Sequence, residues 1–139
     1  MEPQNIFYLG MVIMIVSSMG SRLVKEKGLK NMSNEEKGKL VSAFSKTRMN
    51  NIVLLLGIVL VYMSIMFFEQ SGTDLGFNPH LAYFIVLAGY VIFNYYITFK
   101  KLAEMNAPVE YVKYTKISTL ISGVGFAAFL AAMIFYMGL

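Results

Sequence analysis

Cysteine is absent from the 139-residue chain, histidine occurs once, at His80, and charged residues make up only 14% of the chain. Without cysteine, the chain forms no disulfide and supplies no thiolate to a metal ion or a redox relay. A single histidine nearly excludes a multi-histidine metal or haem site. We therefore predict no metal site and no cofactor.

The shortage of charge also restricts the class of protein. A soluble domain carries about 25% charged residues. A short soluble chain cannot bury the apolar surface that comes with a composition of 57% hydrophobic residues. The composition therefore excludes an ordinary cytosolic enzyme, a disordered chain and a disulfide-stapled secreted module, and it indicates a membrane protein.

Four long apolar stretches occur in the chain, and Arg22 is the only charged residue within them. About 20 helical residues cross a hydrocarbon core of about 30 Å. We predict an all-α integral membrane protein, a bundle of four transmembrane helices that extends into the cytoplasm and forms a single domain over residues 1–139. The predicted spans are residues 6–24, 51–68, 81–99 and 117–138.

The basic residues are confined to two segments. Residues 22–50 hold eight basic and three acidic residues, and residues 100–116 hold four basic and two acidic ones. The rest of the chain carries three acidic residues and no lysine or arginine. Because basic loops stay in the cytoplasm, we predict cytoplasmic loops over 25–50 and 100–116, an outer loop over 69–80 and both termini outside. The predicted location is the bacterial inner membrane or an equivalent membrane.

Local signals extend the helices beyond the apolar stretches. Ser33 and Glu36 have the spacing of a capping box, in which each side chain accepts a hydrogen bond from a free backbone N–H group. The second helix is therefore expected to begin just after Ser33. Asn78 followed by Pro79 suits the start of the third helix, and Pro108 suits the first turn of the fourth.

Each predicted span has one face of small or weakly polar residues. Because lipid gives no hydrophobic drive for helix association, close backbone approach and hydrogen bonds between helices must supply it. The fourth span is the richest in small residues, so it is expected at the most crowded contact, within the chain or between chains. The residues predicted to mediate packing are Gly57, Ser64, Ser118, Ser122 and Gly125.

The candidate binding residues lie toward the predicted cytoplasmic ends of the second and third spans. Asn94 and Tyr90 would line a polar pocket, or Asn94 would form a hydrogen bond between helices. Arg48 and Asn51 would bind an anion, or anchor their helix at the membrane interface by snorkelling. The predicted ligand-binding set is Arg48, Asn51, Tyr90, Asn94 and Tyr95.

The basic segment 22–50 has two interpretations. Each lysine or arginine near an anionic membrane surface contributes about 1 kcal/mol of binding free energy, so the segment would bind anionic lipid headgroups or an acidic partner. Alternatively it only sets the topology, which is the favoured interpretation because glutamates are interspersed among its basic residues. The same interspersion argues against nucleic-acid binding.

The start of the second span gives an architectural resemblance. The stretch FSKTRMNN over residues 44–51 places an arginine and two asparagines there. With four spans, outward termini and a long basic loop between the first two spans, the chain resembles the MAPEG superfamily (membrane-associated proteins in eicosanoid and glutathione metabolism), which implies a trimer. That family has Arg, then Asn, then Glu at this place. Here Arg48 and Asn50 have a different spacing and residues 53–55 are VLL, so glutathione chemistry is not carried over.

The function predicted from these features is non-catalytic. The chain has no glycine-rich phosphate loop, no HExxH and no GxSxG, and its spans lack the mid-membrane ionisable residue that ion-coupled transporters need. We predict a small integral membrane protein that acts through helix packing, as an accessory or assembly subunit of a membrane complex or as a homo-oligomer. Its partners would be the lipid bilayer and other membrane subunits or further copies. The alternative is a membrane-embedded enzyme or lipophilic-ligand binder with a cytoplasm-facing site, and a passive channel or small exporter is a third hypothesis.

Overall fold

The computed structural model describes residues 1–139 and is all-helical. Each of its helices is long and apolar enough to cross a membrane, so the predicted number and order of apolar helices are confirmed. The four elements are α1 (Pro3–Lys30), α2 (Asn34–Gln70), α3 (Pro79–Glu104) and α4 (Val109–Met137).

The predicted N-terminal caps of α2 and α3 are confirmed by their hydrogen bonds. The N–H of Glu36 donates to Oγ of Ser33, and the N–H of Ser33 donates to the Glu36 carboxylate, both at 3.2 Å. At α3, Oδ1 of Asn78 accepts from the N–H groups of His80 and Leu81 at 3.0 and 3.1 Å. These side chains satisfy backbone donors that the first turn of a helix leaves free.

We expect Ser33→Ala to loosen the first turn of α2. Loss of a serine cap costs about 1 kcal/mol, which is about a fivefold increase in the population of the opened turn. Hydrogen-exchange mass spectrometry should therefore show faster exchange confined to the first residues of α2. Ser42→Ala is the matched control, because Ser42 is exposed further along the same helix. Equal exchange in both variants would contradict the capping role of Ser33.

The C-terminal end of α3 is closed by a left-handed residue. Asn106 has a φ of 50°, a conformation that asparagine tolerates better than most residues with a side chain. Its N–H donates to the carbonyl of Ala103 at 3.2 Å, and the N–H of Ala107 donates to the carbonyl of Leu102 at 3.1 Å. These two bonds form a Schellman motif, which ends the helix just before Pro108.

The contacts group the chain into two compact units. The first unit consists of Met1–Lys37 and Thr98–Leu139, and the second is Gly38–Ile97. The expectation that residues 1–139 act as a single transmembrane domain stays a prediction.

In the first unit, α1 packs along α4. The two helices are antiparallel, because Gly10 lies against Ala132 whereas Gly28, later in α1, lies against Tyr111. Four buried residues of α4 recur at intervals of seven, a period that keeps one stripe of a helix against its partner along a left-handed crossing. They are Tyr111, Ser118, Gly125 and Ala132.

This α1–α4 seam depends on small residues. A Cβ atom added at Gly125 would overlap the side chain of Ser17, and one added at Gly10 would overlap Cβ of Ala132. The absence of a Cβ at each glycine therefore lets the two backbones approach closely. The fourth helix has more buried residues than any other, in agreement with its expected place at the most crowded contact, and its partner is α1.

The same seam contains a buried polar pair. Oγ of Ser21 and Oγ of Ser118 lie 2.6 Å apart in a hydrogen bond, and Ser118 is 5% exposed. Hydrogen bonds of this kind between membrane helices contribute about 0.6 kcal/mol. The pair joins Ser21 of α1 to Ser118 of α4 and adds a small contribution to a contact that is otherwise made by close packing.

Candidate functional site

An apolar groove lies between α2 and α3 in the unit Gly38–Ile97. The two helices form no continuous contact along it, and its cavity volume is about 760 Å³. Ligand sites in proteins are typically of this size and have mainly hydrophobic and aromatic walls. The groove walls include Val53, Leu54, Ile58, Val61, Val86 and Phe93.

Two glycines widen the groove, one from each helix. Gly57 of α2 and Gly89 of α3 both line it, and no other group lies within 4 Å of the place where their Cβ atoms would be. The situation differs from the α1–α4 seam, where the glycines are in contact with a neighbouring helix. Gly57 and Gly89 therefore leave space unfilled within their own unit.

One end of the groove carries a small polar cluster. The Tyr62 hydroxyl and Nδ1 of His80 lie 2.7 Å apart in a hydrogen bond. The ring of Tyr83 stacks on that of Tyr62 with centroids 4.2 Å apart, and both tyrosines line the groove. His80 lies in the first turn of α3, where the Asn78 cap holds its backbone. The helix cap and the ring stacking thus fix the hydroxyl and the imidazole in place.

The opposite end of the groove is closed by a link between the two helices. The hydroxyl of Tyr90 donates a hydrogen bond of 3.2 Å to the backbone carbonyl of Asn51. Ten residues separate His80 from Tyr90 on α3, which corresponds to about 15 Å along the helix axis. The groove therefore has a polar group near each end and apolar walls between them.

The predicted ligand-binding residues are only partly brought together. Tyr90 lines the groove and is bonded to Asn51, but the contact uses the backbone carbonyl of Asn51 and not its side chain. Asn94 and Tyr95 are half-buried and Arg48 is exposed, and none of the three lines the groove. Their role in ligand binding stays a prediction.

The predicted packing residues fall into two groups. On α4, Ser118 and Gly125 lie in the α1–α4 seam, and Oγ of Ser122 donates to the carbonyl of Thr119 at 3.1 Å. On α2, Gly57 faces the groove, and Ser64 is exposed. Oγ of Ser64 donates to the carbonyl of Leu60 at 2.8 Å, within its own helix.

Sequence reasoning missed the polar cluster of Tyr62, His80 and Tyr83. In the sequence, His80 is distinguished only as the single histidine of the chain. One feature of the sequence could have indicated this cluster. Only eight residues connect the end of α2 at Gln70 to the start of α3 at Pro79, and so short a connection brings the adjoining ends of the two helices together. A tyrosine two turns before the end of α2 and a histidine at the start of α3 were therefore candidates for contact.

Comparison of the chain with protein-family models, with curated proteins and with solved structures finds no match.

Proposed function

We propose that the chain is an integral membrane protein whose four helices cross the bilayer as a bundle. In support, even the shortest helix, α3, has 26 residues, or about 39 Å, against a hydrocarbon core of about 30 Å. The confinement of the basic residues to residues 22–50 and 100–116 supports cytoplasmic loops there. Both termini would then lie on the non-cytoplasmic side of the bacterial inner membrane or an equivalent membrane.

Within that membrane, the protein acts through helix packing and not through catalysis, as an accessory or assembly subunit of a larger complex or as a homo-oligomer. The observation that carries this proposal is that α2 is 37 residues long and has no buried residue. Residues 51–68 of α2 carry no charged side chain on any face, and a helical stretch that is apolar on all sides is stable only in lipid or against other helices. The apolar surface of α2 is not covered within its own unit, which supports packing against a second chain, whereas the seam face of α4 is covered by α1 within the first unit.

Native mass spectrometry of the gently extracted protein tests the proposal. We expect species with more than one chain, either copies of this protein or this protein with a partner subunit.

Cysteine cross-linking identifies the contact between chains, because the chain has no native cysteine that would compete. For a homo-oligomer, Leu60→Cys on α2 should give disulfide-linked dimers in the native membrane. The matched control is Leu120→Cys on α4, since these leucines are 63% and 71% exposed. A lone monomer, or equal cross-linking at the two positions, would contradict packing through α2.

A second candidate function is the binding of a lipophilic ligand. The apolar groove between α2 and α3 favours it, because the groove has the volume and the lining of a ligand site and is not filled by the side chains of its own unit. The two functions are compatible, since the groove uses only the face of α2 that is turned toward α3.

A further inference from the structure

We propose that the groove binds the tail of a single-chain lipophile whose uncharged, hydrogen-bonding head lies at the Tyr62–His80 pair. This inference deepens the second candidate function and rests on it. It differs from the site predicted from the sequence, because it places the polar head at the end of the groove that is remote from Arg48 and Asn51.

The dimensions of the groove suit a hydrocarbon tail. On α3 its walls extend from Pro79 to Phe93, about 21 Å at the helical rise. Its volume of about 760 Å³ lies in the range of small-molecule sites. A long, narrow and apolar space of this kind is the shape that an extended hydrocarbon chain fills.

The lining favours the same occupant. The walls between the two polar ends are apolar, and none of the lining residues is charged. Transfer of apolar surface from water into such an environment is favourable, at about 25 cal/mol per Å². A lipophile that is already dissolved in the bilayer has left water, so it gains no further transfer free energy on entering the groove. Selectivity for one lipophile must therefore come from the shape of the groove and from its polar end.

The polar end favours an uncharged head. Tyr62 lines the groove, and its hydroxyl, which is bonded to Nδ1 of His80, has the capacity for a further hydrogen bond to an uncharged head group. The charged residues of the adjoining segment 69–78 are Glu69 and Asp74, both acidic. They repel an anionic head, and no lysine or arginine of that segment compensates for them.

The test uses tryptophan fluorescence, because the chain has no native tryptophan. Phe93→Trp places an indole in the wall at the far end of the groove, and Leu120→Trp places one on the exposed face of α4. Each variant is reconstituted in phosphatidylcholine vesicles and titrated with a monoacylglycerol that carries bromine on its tail as quencher. We expect saturable quenching of Phe93→Trp at a mole fraction at least about tenfold below that needed for Leu120→Trp, since tenfold is a modest binding preference.

Three further variants locate the binding. Gly57→Leu fills the groove and should abolish the preferential quenching of Phe93→Trp. The matched control, Gly38→Leu, should preserve it, because Gly38 is another α2 glycine in open space and does not line the groove. Tyr62→Phe should raise the half-saturating mole fraction about fivefold, the factor that corresponds to one neutral hydrogen bond.

The outcomes separate the inference from the function on which it rests. Preferential quenching by a brominated fatty acid in its anionic form, equal to that by the monoacylglycerol, would keep ligand binding and overturn the assignment of the head. Equal quenching of the two indoles by both probes would overturn both. Weaker quenching of Phe93→Trp than of Leu120→Trp, together with disulfide dimers of Val86→Cys, would show a second copy of the chain in the groove and would overturn the proposal.

Discussion

Gly125→Leu is expected to separate α1 from α4. The Gly125 position has no room for even a Cβ atom, because that atom would overlap both the Cβ and the Oγ of Ser17. Overpacking of a well-packed contact typically costs about 1–3 kcal/mol. Here the obstacle is a short side chain fixed to the opposing helix, so it cannot turn away as a long flexible one would. We expect a cost at or above the upper end of that range.

A disulfide between the two helices reports the separation. Ser21→Cys and Ser118→Cys replace two hydroxyls that lie 2.6 Å apart, and no other cysteine is present to compete. Oxidation of this double variant should link α1 to α4 nearly completely. Addition of Gly125→Leu should reduce the yield to the level of random collisions, and Gly125→Ala should give an intermediate yield.

The control for this prediction is the same substitution at another glycine. Gly57→Leu introduces an identical side chain on α2, where no other group lies within 4 Å of the added Cβ. It should leave the disulfide yield between positions 21 and 118 unchanged. If Gly125→Leu also left the yield unchanged, the α1–α4 seam would not depend on close backbone approach at Gly125.

The limits of the helices could be predicted because their causes are local. A capping box needs only Ser33 and Glu36, and the start of α3 needs only Asn78 and the proline that follows it. The pairing of the helices is different, because it depends on contacts between residues about 100 positions apart. The sequence marked Ser118 and Gly125 as a packing face, but it gave no means to choose α1 as the partner.

The groove could not be predicted for a related reason. Gly57 was identified as a packing residue because glycine permits close approach, and glycine equally permits open space. Which of these occurs depends on how far α2 and α3 diverge, and that is set by side chains along the whole length of both helices. The contact between Tyr62 and His80 follows from the same geometry, so neither residue was distinguished by its local sequence.

The second large effect expected is a difference in labelling between two serines of the α2 region. Ser42 and Ser71 are both exposed, and 29 residues separate them. At the helical rise this is about 44 Å, more than the hydrocarbon core of about 30 Å. If α2 crosses the membrane as proposed, the two positions face opposite aqueous compartments, with Ser42 in the basic segment on the cytoplasmic side.

Ser42→Cys and Ser71→Cys form a matched pair, because each replaces one hydroxyl by a thiol in a chain without cysteine. A membrane-impermeant maleimide added to intact cells should label Ser71→Cys almost fully and leave Ser42→Cys unlabelled until the membrane is permeabilised. The physical cause is the twelve basic residues, which are all in the two segments proposed to be cytoplasmic.

Each alternative result has a specific meaning. Labelling of Ser42→Cys in place of Ser71→Cys would show that the chain inserts with the opposite orientation, so the basic segments would not control its topology. Labelling of both in intact cells would show that α2 does not cross the bilayer, and the four-span proposal would fail with it.

The expected labelling pattern places the Tyr62–His80 end of the groove on the non-cytoplasmic side, because Ser71 directly follows the end of α2 and His80 lies in the first turn of α3. A lipophile bound there would then have its head near the non-cytoplasmic face of the membrane, away from the basic loops.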